Sequence, residues 1–267
     1  MKKFLALLLA LLLCLSLCAC GQSGSYGVQT VVTLVEQDYS IAFRTGDPTS
    51  GYVVSALEAL SAEGRVDELA MKWFGERIVN IRKNDKTFNS IPSIEPRDLI
   101  IGVDIDSFPM AYIANGSYWG FDVELAIDVC DKLGWNLKIQ PIEKENVYIE
   151  LSSGNIDVAW GGIALDPQEI EEGKFIQYGP YVHNDIVIAV RSGTFVLNEL
   201  MLSGKRLAMS STPEAMDALN TDPKLIKRLK QVTRLAGGTT ECFEYLYAGK
   251  ADAVLTDSTA LYYFNCH

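Results

Sequence analysis

From Leu99 to the end of the chain, short apolar runs alternate with amphipathic stretches, and that alternation leaves few architectures open. Leu99-Ile100-Ile101-Gly102-Val103 is a brief apolar run stopped by Asp104, as expected of a strand buried on both faces. Gly120-Phe121-Asp122 then opens a helix, with Val123, Ala126, Ile127, Cys130 and Leu133 at helical spacing. Asp122 is expected to cap that helix and Gly134 to close it. Further strands are expected over residues 137–139, 156–160, 185–190, 206–210 and 251–256, and helices over 148–153, 212–219, 240–248 and from 258 onward. Strands alternating with helices predict parallel sheets covered by helices, with clefts at the carboxyl ends of the strands. Asp104, Trp160-Gly161-Gly162, Ser210-Ser211-Thr212 and Asp257 all follow strands in this way.

The amino end carries a different signal. Lys2 and Lys3 precede an almost purely apolar run over 4–17, shorter than the roughly 20 residues a membrane span needs, so 1–19 reads as a secretory signal peptide. Leu17-Cys18-Ala19-Cys20-Gly21 resembles the bacterial lipobox, with Cys20 as the residue to be lipidated because Ala19 before it is small. A cleaved leader with an incidental cysteine is the competing reading. Residues 20–25 form a short polar tether.

Loss of the leader removes Lys2 and Lys3 and takes the formal charge from −11 to −13. So acidic a chain is a poor partner for nucleic acid and is repelled by anionic headgroups, which leaves the lipid as the expected attachment. Cys130, Cys242 and Cys266 form no CxxC pair, and His183 and His267 are the only histidines. Neither a metal nor a redox site is expected, and no cofactor. Buried free thiols are expected, with a Cys242–Cys266 pairing left open.

Five motifs stand out along this stretch: Ile101-Gly102-Val103-Asp104, Ser107-Phe108-Pro109-Met110, Gly120-Phe121-Asp122-Val123-Glu124-Leu125-Ala126, Ser153-Gly154-Asn155-Ile156-Asp157-Val158 and Gly249-Lys250-Ala251-Asp252-Ala253-Val254. Together they resemble the amino-acid-binding family (family 3) of extracytoplasmic solute-binding proteins of bacterial ABC transporters. The family's chain then continues with a returning strand and closing helices that end near Trp-Phe-Gly. Here those elements are matched at the front: Asp38-Tyr39-Ser40-Ile41-Ala42-Phe43-Arg44-Thr45-Gly46-Asp47 looks like the strand, 53–74 like the helices and Lys72-Trp73-Phe74-Gly75 like the terminus. The resemblance therefore implies a two-lobed, type II periplasmic-binding-protein-like α/β fold in circularly permuted order. Lobe 1 is expected over 37–190, with 76–97 linking the family's usual ends, and lobe 2 over 26–36 plus 191–267. Residues 38–75 are expected to pack on 98–190. A piece of a tandem array is the plainer alternative.

The same resemblance implies acids at Asp104 and Asp257 that face a solute's ammonium group; plain strand-end acids are the alternative. Phe108 and Trp160 are expected as apolar walls, with Gly161 and Gly162 allowing close backbone approach, and core packing competes for Trp160. Tyr112, Tyr118 and Trp119 are further candidates for the cleft mouth. The family's carboxylate clamp is altered, because Glu169 stands at its arginine position and Ala164 at its first hydroxyl. At the second lobe's helix entrance, Thr212 is kept, Pro213 removes a backbone donor and Glu214 adds a negative charge. Glu214 serves either the solute or simply the helix dipole. Lys144, where relatives often carry an aromatic, either faces solvent or reaches a ligand anion.

These readings predict a monomeric, lipid-anchored protein on the outer face of the bacterial cell membrane. It would capture a small amino-acid-like or cationic solute and hand it to an ABC permease. A fold-retaining surface lipoprotein acting in protein interaction is the alternative. A cyclohexadienyl-dehydratase-like enzyme is a further one, although no nucleophile elbow, phosphate loop or dinucleotide fingerprint is present.

Overall fold

Two long antiparallel strands, β1 (Val28–Arg44) and β7 (Phe175–Arg191), form the spine of the molecule. They pair from Val28 opposite Arg191 to Arg44 opposite Phe175, with register shifts at Thr30/Val32, Thr33/Val35 and Tyr39/Ile41. The computed structural model describes residues 27–267, so the leader, Cys20 and the tether lie outside the described residues. Along β1 the polar-rich first part is partly exposed, whereas Ser40 to Phe43 is buried. The sequence changes character at the same place, from Glu36-Gln37-Asp38 to Ser40-Ile41-Ala42-Phe43.

Each end of the spine carries its own set of parallel strands. On one side are β2 (Asp98–Val103), β5 (Asn136–Pro141) and β6 (Val158–Ala159), with β2 parallel to both neighbours. On the other are β8 (Arg206–Ser210), β9 (Gln231–Leu235) and β10 (Ala253–Asp257), with β8 parallel to both. The result is one eight-stranded sheet in the order β5-β2-β6-β1-β7-β10-β8-β9, and a separate ribbon of β3 (Tyr112–Ala114) and β4 (Ser117–Trp119). Ile186 to Ala189 of β7 already pair with β10, so the chain leaves the first half well before residue 191.

Helices α1 (Thr49–Ala62), α2 (Arg65–Phe74) and α4 (Phe121–Leu133) cover the first half. Tyr39, Ile41, Phe43, Leu57, Leu69, Trp73 and Phe74 share one buried cluster with Leu99, Ile101, Phe121, Trp160 and Tyr181, so residues 38–75 pack on 98–190. The rings of Phe74 and Phe121 lie 5.1 Å apart. The stretch 76–97, which includes the short helix α3 (Lys86–Asn89), is held to this half. Arg82 grips the buried Glu58 with two hydrogen bonds of 2.8 and 2.9 Å, Asn84 adds a third, and Asn80 N–H donates to the Tyr181 carbonyl at 2.7 Å.

Helices α5 (Val147–Ser153) and α6 (Pro167–Glu171) complete the first half. The second is covered by α7 (Pro213–Asn220), α8 (Pro223–Arg228), α9 (Gly238–Tyr247) and α10 (Ser258–Cys266). Thr212 caps α7 by accepting from Ala215 N–H, with Pro213 in the first turn as expected.

The cap expected of Asp122 is not made. Gly120 stands at the N-cap of α4 without a side-chain bond, and Asp122 turns inward with no exposure. There it accepts from Tyr181 OH (2.6 Å), Gly162 N–H (2.8 Å) and Trp160 Nε1–H (3.0 Å). Burial pushes its carboxyl up to about 7 against those three donors. The three cysteines among the described residues are free thiols; Cys130 and Cys242 are buried, but Cys266 is exposed near the chain end. No helix among the described residues is long and apolar enough to cross a membrane.

Candidate functional site

The carboxyl ends of β2 and β10 face each other across a cleft between the two halves, and each delivers an aspartate. Asp104 follows β2 directly, its Oδ1 accepting from Asp106 N–H at 2.9 Å. Asp257 ends β10. Its Oδ1 accepts from Asn184 Nδ2 at 2.7 Å, from Tyr39 OH at 3.2 Å and, more weakly, from Gln37 Nε2 at 3.5 Å. All three donors sit on the spine strands, so the ladder that joins the halves also aims Asp257. Asn184 is fully buried, and its Oδ1 accepts from the backbone N–H and hydroxyl of Thr259, fixing the start of α10 as well.

Six carboxylates line the cleft: Asp104, Asp106, Glu143, Glu145, Glu214 and Asp257. Among the described residues that line it, Lys144 is the one cation and there is no arginine. Lys144 opens a single 3-10 turn, Lys144–Asn146, after β5, and its ammonium pairs with Glu214 in the first turn of α7. That contact joins the two halves. Both side chains are mostly shielded, at 23% and 28% exposure, so the pair is less screened than an ordinary surface bridge.

Crowding of like charges with little water shifts the acids. Burial pushes Asp104 up to about 7, and Glu214 and Asp106 add to the shift, opposed by the Asp106 N–H bond and Lys144. Asp257 is raised chiefly by burial and next by Glu214, while Asn184, Tyr39 and Lys144 pull the other way. Tyr39, buried beside Asp257, has its phenol raised by the same causes. Two half-hidden acids that resist ionisation are suited to a cation, whose charge would offset the cost of ionising them.

Of the sequence candidates, Asp104, Thr212, Glu214 and Asp257 line this cleft, and Phe108, Trp160, Gly161 and Gly162 do not. Trp160 has no exposure and is spent on Asp122, so core packing takes the role foreseen as a wall. Gly161 and Gly162 serve that packing: a Cβ on Gly162 would stand 1.9 Å from Ser107 Oγ, and one on Gly161 would stand 2.8 Å from Val103 Cβ. Phe108 leaves its own half to join the second half's core, its ring 4.8 Å from Tyr263 and 5.5 Å from Phe264. Tyr112 packs against Phe108 instead of the cleft, and neither Tyr118 nor Trp119 lines it. Glu169, on α6, pairs with Lys174 at 3.3 Å and is outside the cleft. Tyr39, Gln37, Asn184 and the Lys144–Glu214 pair were not foreseen at the site. The polar run His183-Asn184-Asp185 inside an otherwise apolar strand is the one signal that pointed to Asn184.

The family model for bacterial extracellular solute-binding proteins, family 3, matches residues 99–237, more than half of the chain. The chain belongs to that family. Its α/β architecture, with two sets of parallel strands joined by a spine, is the family's type II periplasmic-binding-protein-like fold. The probable amino-acid-binding protein YxeM of Bacillus subtilis is 26% identical over 176 residues, covering 65% of this family-3 chain and 64% of that protein. The membrane-bound lytic murein transglycosylase F of Salmonella paratyphi B is 26% identical over 218 residues, covering 73% of this chain. The chain spans only 36% of that larger relative's length. Among solved structures, a polar amino acid ABC uptake transporter substrate-binding protein from Streptococcus thermophilus is 27% identical, with a TM-score of 0.45 over 60% of this chain and 61% of that one. The family is one of binding proteins that take small amino-acid solutes and work with ABC permeases.

Proposed function

We propose that this chain is the solute-binding lipoprotein of an ABC importer and that its solute is a small cation, an amine or an amino acid carrying extra positive charge. The observation that carries this reading is the charge of the cleft: six carboxylates against one lysine. At an effective dielectric near 20, each unit charge about 4 Å from an ammonium contributes about 4 kcal/mol of Coulomb attraction before desolvation. A free α-carboxylate has no matching partner, because Glu169 replaces the clamp arginine and Lys144 is already held by Glu214. Asp257 presents one oxygen bound to Asn184, Tyr39 and Gln37, which leaves the other to accept from a solute ammonium. Thr212 and Ser210 supply hydroxyls at the rim.

Closure would join Asp104 and Asp257 on the same solute by bending the β1/β7 spine, the ladder that joins the halves. The chain is read as lipidated at Cys20, held on the outer face of the cell membrane, monomeric and without catalytic activity. Circular permutation of the family's order accounts for residues 38–75. It is supported by their shared core with 98–190 and by the tied-down stretch 76–97. Calorimetric titration of the leaderless chain with diamines, choline-type cations and amino-acid amides tests the solute class. Micromolar binding is expected for at least one of them.

A second reading has its own observation. The Lys144–Glu214 bridge and the seating of Phe108 between Tyr263 and Phe264 both hold the halves together without any solute. A surface lipoprotein with a retired cleft would keep those contacts and bind nothing small.

A further inference from the structure

Beside the point where the described chain begins, the second half exposes an apolar edge. Phe195, Leu197 and Leu200 are 79%, 62% and 68% exposed, while Val196 between them and Leu202 just after them are buried in that half's core. The loop is therefore anchored, and its three large side chains are held outward rather than left loose. Gly27 lies against its base: Ser192 N–H donates to the Gly27 carbonyl at 2.7 Å, and Gln29 Nε2 donates to the Thr194 carbonyl at 3.3 Å. Cys20 is seven residues before Gly27, a reach of about 25 Å when extended. The apolar run 4–17 lies immediately beyond.

The charge around this edge is the reverse of the whole chain's. Arg191 precedes the loop, and Lys205, Lys224, Lys227 and Lys230 stand on the segments that follow, in a protein of formal charge −11. Those segments are joined to the loop: Gly204 N–H donates to the Arg228 carbonyl, Lys230 N–H to the Lys205 carbonyl, and Arg228 pairs with Glu199. The nearby acids are spent, Glu199 on Arg228 and Asp222 as the cap of α8. Three outward apolar side chains beside these lysines, next to the exit of a membrane-directed segment, match the chemistry of an anionic bilayer surface.

We infer that the edge formed by Phe195, Leu197 and Leu200, with its flanking lysines, rests on the anionic face of the membrane and orients the tethered protein. Its orientation rests on the anchored reading above, but its chemistry does not. With the apolar loop pressed to the headgroups, the second half would be the one nearer the bilayer.

The test uses residues 21–267, which contain every described element, so that no lipid contributes. Flotation would compare vesicles of phosphatidylcholine alone with vesicles holding about one third phosphatidylglycerol. Wild type is expected to bind the anionic vesicles about tenfold more, and to release in about 0.5 M salt. Combined Phe195→Ser, Leu197→Ser and Leu200→Ser is expected to abolish binding. Lys224→Glu with Lys227→Glu and Lys230→Glu should do the same, with an unchanged melting temperature in both cases. Equal binding to both vesicle types, or variants that bind as wild type does, would overturn the inference. So would a wild-type dimer in sedimentation that the serine variant dissolves, since the edge would then serve a second copy. Mass spectrometry of Cys20 reads the anchor separately.

Discussion

Lys144 and Glu214 form an ion pair across the cleft, one residue from the turn after β5 and the other from the first turn of α7. A cationic solute that enters must share Glu214 with an ammonium already tethered there. Lys144 is thus an internal competitor. Lys144→Met should tighten amine binding by about three- to tenfold, the equivalent of a partly screened pair worth about 1 kcal/mol. Glu214→Gln should weaken it, because the loss of a cleft carboxylate outweighs the release of Lys144. Calorimetry on both variants checks the pair of signs.

Solute affinity should rise with pH. Asp104 is held up near 7 mainly by burial, and Asp257 is raised for the same reason. A cation binds the ionised forms, so Kd should fall about tenfold between pH 5.5 and 7.5 and then level off, with protons released on binding. Asp104→Asn should flatten that profile. Titrations in two buffers of different ionisation enthalpy measure the proton release directly.

The unliganded fold should respond in the opposite sense. Asp104 and Asp122 sit near 7 when folded and near 3.8 when unfolded, so between those values the folded state holds more protons. Their contribution to stability is complete below about 4 and is lost as pH rises through about 7. His183, raised by its bond to Asp38 and by Asp185, adds in the same direction. The melting temperature of the solute-free protein should be a few degrees lower at pH 8 than at pH 5. Saturating solute should narrow the difference.

Asp122 is expected to be the most sensitive core position. Asp122→Ala would leave the Trp160 indole N–H, the Gly162 N–H and the Tyr181 hydroxyl buried without their acceptor. A loss of about 3 kcal/mol or more is expected in denaturant unfolding. Arg82→Ala, which takes both guanidinium bonds from Glu58 at 2% exposure, should lower the denaturation midpoint measurably.

The sequence made the alternation of strands and helices readable because each element carries its own apolar period and its own stop. Thr212-Pro213-Glu214 marked the start of α7 from three adjacent residues. Asp104 and Asp257 were readable too, since they sit at strand ends where the fold opens, whereas Asp106, Glu143 and Glu145 carried no such signal. What stayed hidden depends on distant partners. Asp122 looks like a cap within its own helix, and only Trp160 and Tyr181, 38 and 59 residues away, draw it inward. Phe108 reads as a wall in its own half because nothing local reveals that Tyr263 and Phe264 receive it. Lys144 meets Glu214 only when the spine brings the two halves together.

The central claim is that the cleft takes a small cation. Calorimetric titration of the leaderless protein at pH 7.5 with a panel of amines and common α-amino acids tests it most directly. The account predicts micromolar binding of at least one amine lacking a free α-carboxylate, weakened by Asp257→Asn and tightened by Lys144→Met. Tight binding of a neutral α-amino acid with none of any amine would contradict it.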